Sequence, residues 1–518
     1  MTKKEEYTKK KSHVREAQLS IKADQTDFLV HYNNLLSKAS QEYPRKFKSL
    51  ASPTLNKQET VTYLYKKIMY CIEGDISVNK KKVTVSLCFN FLKQLLVQLV
   101  KLESTRRLFR IRSLPKNSIY IRTWLIPKSI IKGKVKDDYF GKLEADLKIN
   151  NHTIVAFHPV GYADILNHYN KSEKPGNFII PIGLLTFFDI IYLLFKYLID
   201  GRVILKKRYY FKGKDVTNII NESLFNDFWE LKSFFAYIEL FIAKRVKRFN
   251  PKIFIYNIEN QAWENSYHLI FQKTKTKFIG IQSSGFSYRI LNFFPTKMDK
   301  QNNLFPDLLL TAGNIFKRIL LEKANYPCQI KTIGALRTNH KSINGKFSIF
   351  TPNNNIHNKL LYVFPLWEYQ YNTIINDLFD VFAETDIVLH FKFHPLLHNY
   401  KYEQMLPDNF KVMPLLSNKP LGDIYDFILF NDNSFGIEAM MRGVLCYEYD
   451  CGEFYPDNRL FNFIYPNHRL TKIDLYNMKD KILSGQLSKQ FDKKLISNYI
   501  NEYYSPYNGH KLNQILEL

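Results

Sequence analysis

The chain has 518 residues, 45% hydrophobic and 15% aromatic, which excludes a disordered polymer and exceeds one ordinary core, so two or more domains are expected. Its 74 Lys and Arg against 48 Asp and Glu give a formal net charge of +26. That charge fits either a solvated Lys-rich surface or an anionic partner: nucleic acid, membrane headgroups or a phosphorylated substrate.

In chain order, residues 1–60 read as polar, helical and loosely anchored. The opening "MTKKEEYTKKKSHVREAQ" has no apolar run of the kind a signal peptide needs. Within "TVSLCFNFLKQLLVQLVKLEST" (84–105), Phe89, Leu92, Leu96 and Leu99 fall on one helical face. β-like and helical runs then alternate. "TIVAF" (153–157) precedes His158-Pro159, a helical stretch covers 222–247, and "KIFIYN" (252–257) leads into another helix at 262–272. "KFIGIQ" (277–282), "DLLLT" (307–311), a helical 313–324 and "IKTIG" (330–334) complete the series.

The segment "FIIPIGLLTFFDIIYLLFKYLI" (178–199) approaches the ~20 residues that cross a bilayer. Pro181, Gly183, Asp189 and Lys196 interrupt it, so it reads as a strand end and an apolar helix, buried or docked shallowly on a membrane. Arg202, Lys206, Lys207 and Arg208 follow it and suit a peripheral contact with anionic lipid.

A polar interval, 337–359, reads as a linker. Alternation then restarts with "LLYVF" (360–364), a helix at 369–383, "IVLHFKF" (387–393), "FKVM" (410–413), "FILFN" (427–431), a helix at 434–442 and "VLCYEY" (444–449). Strands alternating with helices imply parallel sheets with right-handed crossovers. The expected fold class is α/β: a helical, basic extension over 1–110, a Rossmann-like domain over 111–337, a linker over 338–358 and a second Rossmann-like domain over 359–518. Five dispersed cysteines without a CxxC pair argue against a disulfide framework or zinc ribbon and fit a reducing cytoplasm.

In open parallel sheets, ligands bind beyond the carboxyl ends of the strands. His394 follows "IVLHFKF", with Pro395 fixing the turn, and its imidazole can donate to a phosphate oxygen. Ser434 follows "FILFN" and opens a helix, so its hydroxyl and the next backbone N–H groups can form an anion site. Glu438, one turn on, can accept from ribose hydroxyls, and Gly443 ends the helix. The plainer alternatives are a helix cap at Ser434 and a turn residue at His394. His390, His394 and His398 are spaced by four, but the first two lie in a strand-like run where such residues do not converge, so no zinc site is expected. D-x-D, P-loop and GxSxG patterns are absent, which disfavours metal-dependent nucleotide-sugar folds, NTPases and serine hydrolases. The scattered basic runs accompany no recognisable nucleic-acid module, so no nucleic-acid partner is expected.

The His-Pro pair followed by "NDNSFG" resembles the C-terminal domain of GT-B glycosyltransferases, especially bacterial sialyl and Kdo transferases that use CMP-activated sugars. Those enzymes hold the CMP phosphate with an HP motif and a Ser-Ser/Thr motif; Asn433 here stands where the first Ser would be. "IENQAWENSY", "GIQSSGFSYRILNFFP" and "IGALR" are similar to a bacterial surface-carbohydrate (O-antigen cluster) biosynthesis family, and the likeness spans roughly 250–450. The resemblance implies a GT-B fold, two Rossmann-like domains with parallel sheets facing across a cleft. It also implies a metal-independent cytoplasmic glycosyltransferase, peripheral at the inner face of the membrane.

Its substrates would be a nucleotide sugar, CMP-linked among the candidates, and a glycan or lipid-linked acceptor; no further cofactor is expected. Polyol-phosphate transfer from a CDP-alcohol and a non-catalytic membrane-associated assembly role are the alternatives. In a GT-B enzyme the catalytic carboxylate comes from the first domain. Glu259, then Glu264, are the candidates here, as general base or nucleophile just beyond a strand. Trp263 is a candidate platform for a sugar face, and Gln282, Ser283 and Ser284 for acceptor or donor-sugar contacts. His158 and Asp164 rank lower for acid–base work. Arg337 either balances a diphosphate or is a surface residue.

Overall fold

The computed structural model describes residues 27–44, 46–58, 60–74, 83–126, 130–131, 134–135, 137, 139–141, 143–147, 153–159, 178–337, 342–343, 346–347, 358–365, 370–394, 406–413, 421–431, 433, 435–452, 469–486 and 493–516. Among the described residues, a π-helical turn at Asp27–Tyr32 and four α-helices come first: α1 (Asn33–Ser40), α2 (Phe47–Ala51), α3 (Thr60–Glu73) and α4 (Val85–Leu108). The first sheet uses β1 (Ile119–Leu125), β2 (Thr153–Pro159), β3 (Phe178–Ile179), β4 (Ile253–Asn257), β5 (Lys277–Ile281), β6 (Leu308–Thr311) and β7 (Gln329–Thr332). Its helices are α5 (Phe187–Asp200), α6 (Thr217–Trp229) and α7 (Phe234–Lys247) before β4, α8 (Ala262–Phe271) after it, and α9 (Asn314–Glu322) after β6.

The strand order is β7-β6-β5-β4-β1-β2-β3, and every pairing is parallel. Ile121 of β1 lies opposite Val155 of β2 on one side and Ile255 of β4 on the other. The order therefore reverses between β1 and β4. All five residues of β4 are buried, as expected of a strand covered on both faces. Phe254 stacks against Tyr120 (5.2 Å) and Phe278 (4.9 Å) across three adjacent strands, which fixes the register.

The second sheet is built from β8 (Lys359–Val363), β9 (Val388–Lys392), β10 (Phe410–Val412), β11 (Phe427–Phe430), β12 (Leu445–Tyr449) and β13 (Arg469–Leu470). Its order is β10-β9-β8-β11-β12-β13, again all parallel, with the reversal between β8 and β11. Helices α10 (Tyr371–Phe382), α11 (Phe435–Met440), α12 (Lys472–Leu483), α13 (Lys493–Tyr503) and α14 (Gly509–Leu516) accompany it in sequence. The expected class, two Rossmann-like parallel α/β domains with a helical N-terminal extension, is the observed one.

Two boundaries differ from expectation. Contacts group Gln25–Ser283, Ile290–Arg337 and Tyr507–Leu518 into one body, and Ser284–Arg289 with Thr338–Pro506 into another. The last helix, α14, thus belongs to the first domain: Tyr507 Oη donates to Asp146 Oδ2 (2.8 Å) and Asn508 N to the Ile333 carbonyl (3.2 Å). The described part of the N-terminal extension is built into that domain as well. Asn33 Nδ2 donates to the Phe294 carbonyl (2.8 Å), and Ser52 Oγ donates to Asp227 Oδ2 (2.5 Å). Lys57 pairs with Asp299 while only 3% exposed. Short polar side chains that look solvated in sequence are here consumed by buried partners.

Gly183 joins α4 to the start of α5. Its carbonyl accepts from Ile111 N (3.0 Å), and a Cβ at this position would collide with the Phe109 carbonyl. Gly183→Ala is therefore expected to destabilise the first domain by about 1–3 kcal/mol through overpacking against backbone, read from its urea midpoint.

Candidate functional sites at the carboxyl edges of two sheets

At the first reversal, β4 ends in Asn257 and the chain turns through Ile258–Gln261 into α8. Asn260 sits at φ 52°, a left-handed conformation that Asn tolerates. Glu259 is half-buried and braced from both sides: Asn257 Nδ2 donates to Oε1 (2.7 Å) and Gln261 Nε2 to Oε2 (2.7 Å). Asn257 is fixed in turn by Ser283 Oγ, which donates to its Oδ1. Asn292 Nδ2 donates to the Glu259 carbonyl (2.7 Å), and Tyr326 Oη donates to Asn260 Oδ1 (2.6 Å). These two amide donors orient the carboxylate.

Glu264, the second choice, has a different job. It is 3% exposed, and its Oε1 accepts from the backbone N–H groups of Glu259 (2.9 Å) and Gln261 (3.0 Å), capping α8. Burial pushes its carboxyl up to about 8 against those two bonds. It shapes the loop that presents Glu259.

Trp263 also departs from expectation. It is 1% exposed and lies 3.4 Å over the Arg122 guanidinium, whose other side faces Trp124 at 4.0 Å, so no ring face is open to a sugar. Arg122 donates to Glu239 Oε1 (2.6 Å), and Tyr267 Oη donates to Glu239 Oε2 (2.6 Å). Burial works against ionisation of Glu239, but the His158 ring, whose Nδ1 is 3.0 Å away, and Arg122 overcome it and hold the carboxyl at about 2. His158 is fully buried, and burial lowers its pKa, so it packs the interior rather than doing acid–base work at the edge. Asp164 lies outside the described residues. The Arg122–Glu239 pair left no signal in the sequence: a lone Arg within "IYIRTWL" reads as an ordinary strand residue.

Gln282 and Ser283 are likewise structural, 2% and 4% exposed. Gln282 Oε1 accepts from Ala312 N (2.9 Å), stitching the end of β5 to β6. Ser284 is partly exposed and groups by contacts with the second body. Arg337 is exposed and lies 5.1 Å over the Tyr139 ring. Next to the Glu259 loop, a cavity of about 80 Å³ is lined by Asn56, Lys57, Gln261, Asn265, Asn292 and Asp299 among others. Burial lowers the Lys57 pKa, an effect opposed by Asp299. Sequence reasoning missed this polar wall because Asn56 and Lys57 lie some 200 residues before the strand they face.

At the second reversal, Phe393 follows β9, stacked on Phe364 (4.5 Å), and half-buried His394 comes next at the sheet edge. After β11, Asn431 is held by Tyr362 Oη (2.9 Å) and by Gln370 (2.9 Å). Asn433 Nδ2 donates to the Val363 carbonyl (3.2 Å), bridging the ends of β11 and β8, and its Oδ1 accepts from Phe435 N (2.9 Å) to start α11. Pro395 and Ser434 lie outside the described residues. Glu438 is half-buried one turn into α11, with the Arg442 charge beside it. Gly443, at φ 86°, ends the helix as expected. His390 Nδ1 sits 3.0 Å from Tyr425 Oη, and among the described residues no group of three His, Cys, Asp or Glu is placed to hold a metal ion.

No family model matches the sequence, and no curated protein does. Among solved structures, the chain is similar to CalG4, the calicheamicin glycosyltransferase, with a TM-score of 0.43 at 9% identity over 78% of this chain and 98% of that one. The lipopolysaccharide outer core galactosyltransferase WaaB gives 0.38 at 14% identity over 77% and 99%, and UDP-GlcNAc 2-epimerase from Neisseria meningitidis 0.39 at 10% over 77% and 98%.

Two predictions follow from the first sheet. Glu264 stays protonated in the folded protein up to about 8, whereas its ordinary value is 4.5. Its contribution is therefore fully present below the ordinary value and lost as pH rises through that window. Glu264→Gln should flatten the fall in stability across this range in urea melts taken at several pH values. Arg122→Met should cost about 3–5 kcal/mol, because it leaves the Glu239 carboxylate buried without its counterion.

Proposed function

We propose that the protein is a glycosyltransferase of surface-polysaccharide assembly, moving a sugar from a nucleotide-activated donor, CMP-linked in the finer assignment, to a glycan or lipid-linked acceptor. The observation that carries this reading is positional. His394 and Asn433 follow the two strands that flank β8, at the edge where a doubly wound sheet receives a nucleotide. Glu259 lies two residues beyond β4 at the equivalent reversal of the first sheet.

In the proposed reaction the acceptor oxygen forms a bond to the anomeric carbon as the bond to the donor phosphate oxygen breaks. Glu259 takes the acceptor's proton, held in place by Asn257 and Gln261 so that little reorganisation is needed. The departing phosphate carries the electron pair and is met by the His394 ring and the Ser434 hydroxyl. The alternatives, polyol-phosphate transfer and a non-catalytic assembly role, make different predictions in the same assay.

A nucleotide panel monitored by thermal shift tests the donor. CMP at about 100 times its Kd should stabilise the protein by about 2.7 kcal/mol, and UMP, GDP and ADP should do much less. Supplying CMP-sugars, UDP-sugars and CDP-alcohols separately, with product analysis, then separates sugar transfer from polyol-phosphate transfer. Glu259→Gln should lower kcat by about 10²–10⁴ with donor KM little changed, whereas His394→Ala should weaken nucleotide binding by about 1.5–3 kcal/mol. Failure of every donor to turn over, with cellular glycan unchanged in both variants, would overturn the enzymatic reading.

A further inference from the structure

Helix α4 carries an apolar stripe broader than one packing face, bounded by a polar side of Asn90, Gln94, Gln98 and Lys101. Here one side alone is enclosed. Phe91, Leu95 and Leu102 face the domain, with Phe91 stacked on Phe228 (5.3 Å) and edge-on to Trp229 (4.9 Å). Phe89, Leu92 and Leu96, three of the four residues that sequence periodicity picks out, point outward at 68%, 52% and 61% exposure, and the fourth, Leu99, is half-buried. Among the described residues α4 is also the helix long and apolar enough to cross a membrane, a property that 178–199 does not have.

Helix α5 repeats the arrangement. Ile190, Leu193 and Tyr197 face inward, while Phe188, Phe195 and Ile199 stand out at 78%, 58% and 80% exposure. The two helices touch, and the Ile111–Gly183 bond ties the end of α4 to the beginning of α5, so their outward faces belong to one rigid region of one domain. Phe89, Phe188, Phe195 and Ile199 alone expose on the order of 500 Å², taking roughly 200 Å² for a full aromatic side chain, as much as the largest patch on an ordinary monomer.

We infer that the outward faces of α4 and α5 form one docking surface that lies in the interface plane of an anionic bilayer. Charge selects this occupant. Arg107, Arg110 and Arg112 are exposed where α4 meets α5, and Arg202, Lys206 and Lys207 just beyond the far end of α5. Of the nearby acids, Glu103 pairs with Arg106 and Arg107, Asp189 with Arg245 and Asp200 with Lys196, while Glu42 accepts from the backbone N–H groups of Lys206 and Lys207, so the basic side chains remain in excess. A second copy, carrying the same +26, would meet this rim with repulsion, whereas phosphate headgroups are attracted to it. A spanning role for α4 conflicts with its inner face, which the domain already covers, and with exposed Lys93 mid-helix. The surface stands on packing and charge alone and is independent of the transferase reading, since bilayer binding needs no donor.

Flotation of the full chain with vesicles tests it. The wild type should float with phosphatidylglycerol-rich vesicles, less with phosphatidylcholine alone, and detach as salt rises. Phe188→Ser with Phe195→Ser, and separately Phe89→Ser with Leu96→Ser, should each cut the bound fraction about tenfold or more. Lys206→Ala with Lys207→Ala should reduce binding to the anionic vesicles only. These side chains are exposed, so melting curves should not move. Should a variant unfold, hydrogen exchange of the wild type decides, with vesicles expected to protect α4 and α5 selectively. The proposal is overturned if the wild type ignores both vesicle types or if the serine variants float equally well. It is also overturned if alkaline carbonate fails to strip the protein, or if the serine changes dissociate a dimer instead.

Discussion

A parallel strand can be joined to its neighbour only by a crossover that brings the chain back to the starting edge, so every strand in such a sheet ends on the same side. Both sheets obey this throughout, and each reverses its order once: between β1 and β4, and between β8 and β11. At a reversal the two crossovers depart to opposite faces and leave a gap that helices do not cover. Glu259 in one sheet, and His394 and Asn433 around the other, occupy those ends. Positioning of the polar residues is thus a consequence of strand order. Local hydrogen bonds then set their orientation.

What the sequence made legible was whatever depends on near neighbours in the chain. Runs such as "KIFIYN" and "FILFN" are short, β-branched or aromatic and bounded by turn residues, so strand positions and the α/β class could be read directly. The carboxyl-edge location of Glu259, His394 and Asn433 follows from those same runs. Side-chain roles depend on partners far away in sequence and were not legible. Trp263 looked like a sugar platform because nothing nearby announces Arg122, and Glu264 looked as eligible as Glu259 because capping and catalysis both place a carboxylate beyond a strand. Gln282 and Ser283 were read as ligand contacts although the neighbouring strand ends already claim their polar atoms.

Periodicity fails in a different way in α4. A hydrophobic face normally points to the core, yet here the more regular stripe, Phe89-Leu92-Leu96, points outward, and the less conspicuous Phe91-Leu95-Leu102 packs inward. Spacing reports that a face is apolar without reporting what covers it. The aromatic pocket of Phe228 and Trp229 decides the helix's rotation, and it comes from α6, more than a hundred residues downstream.

Finally, α14 follows the whole of the second sheet in the chain but packs on the first. Ribosomal synthesis proceeds from the N-terminus, so the domain that emerges first must wait for α14, made after the second domain, before its surface around Asp146 is covered. The second domain is complete earlier, even though it starts later. Maturation of the earlier-born half is therefore coupled to synthesis of the whole second domain.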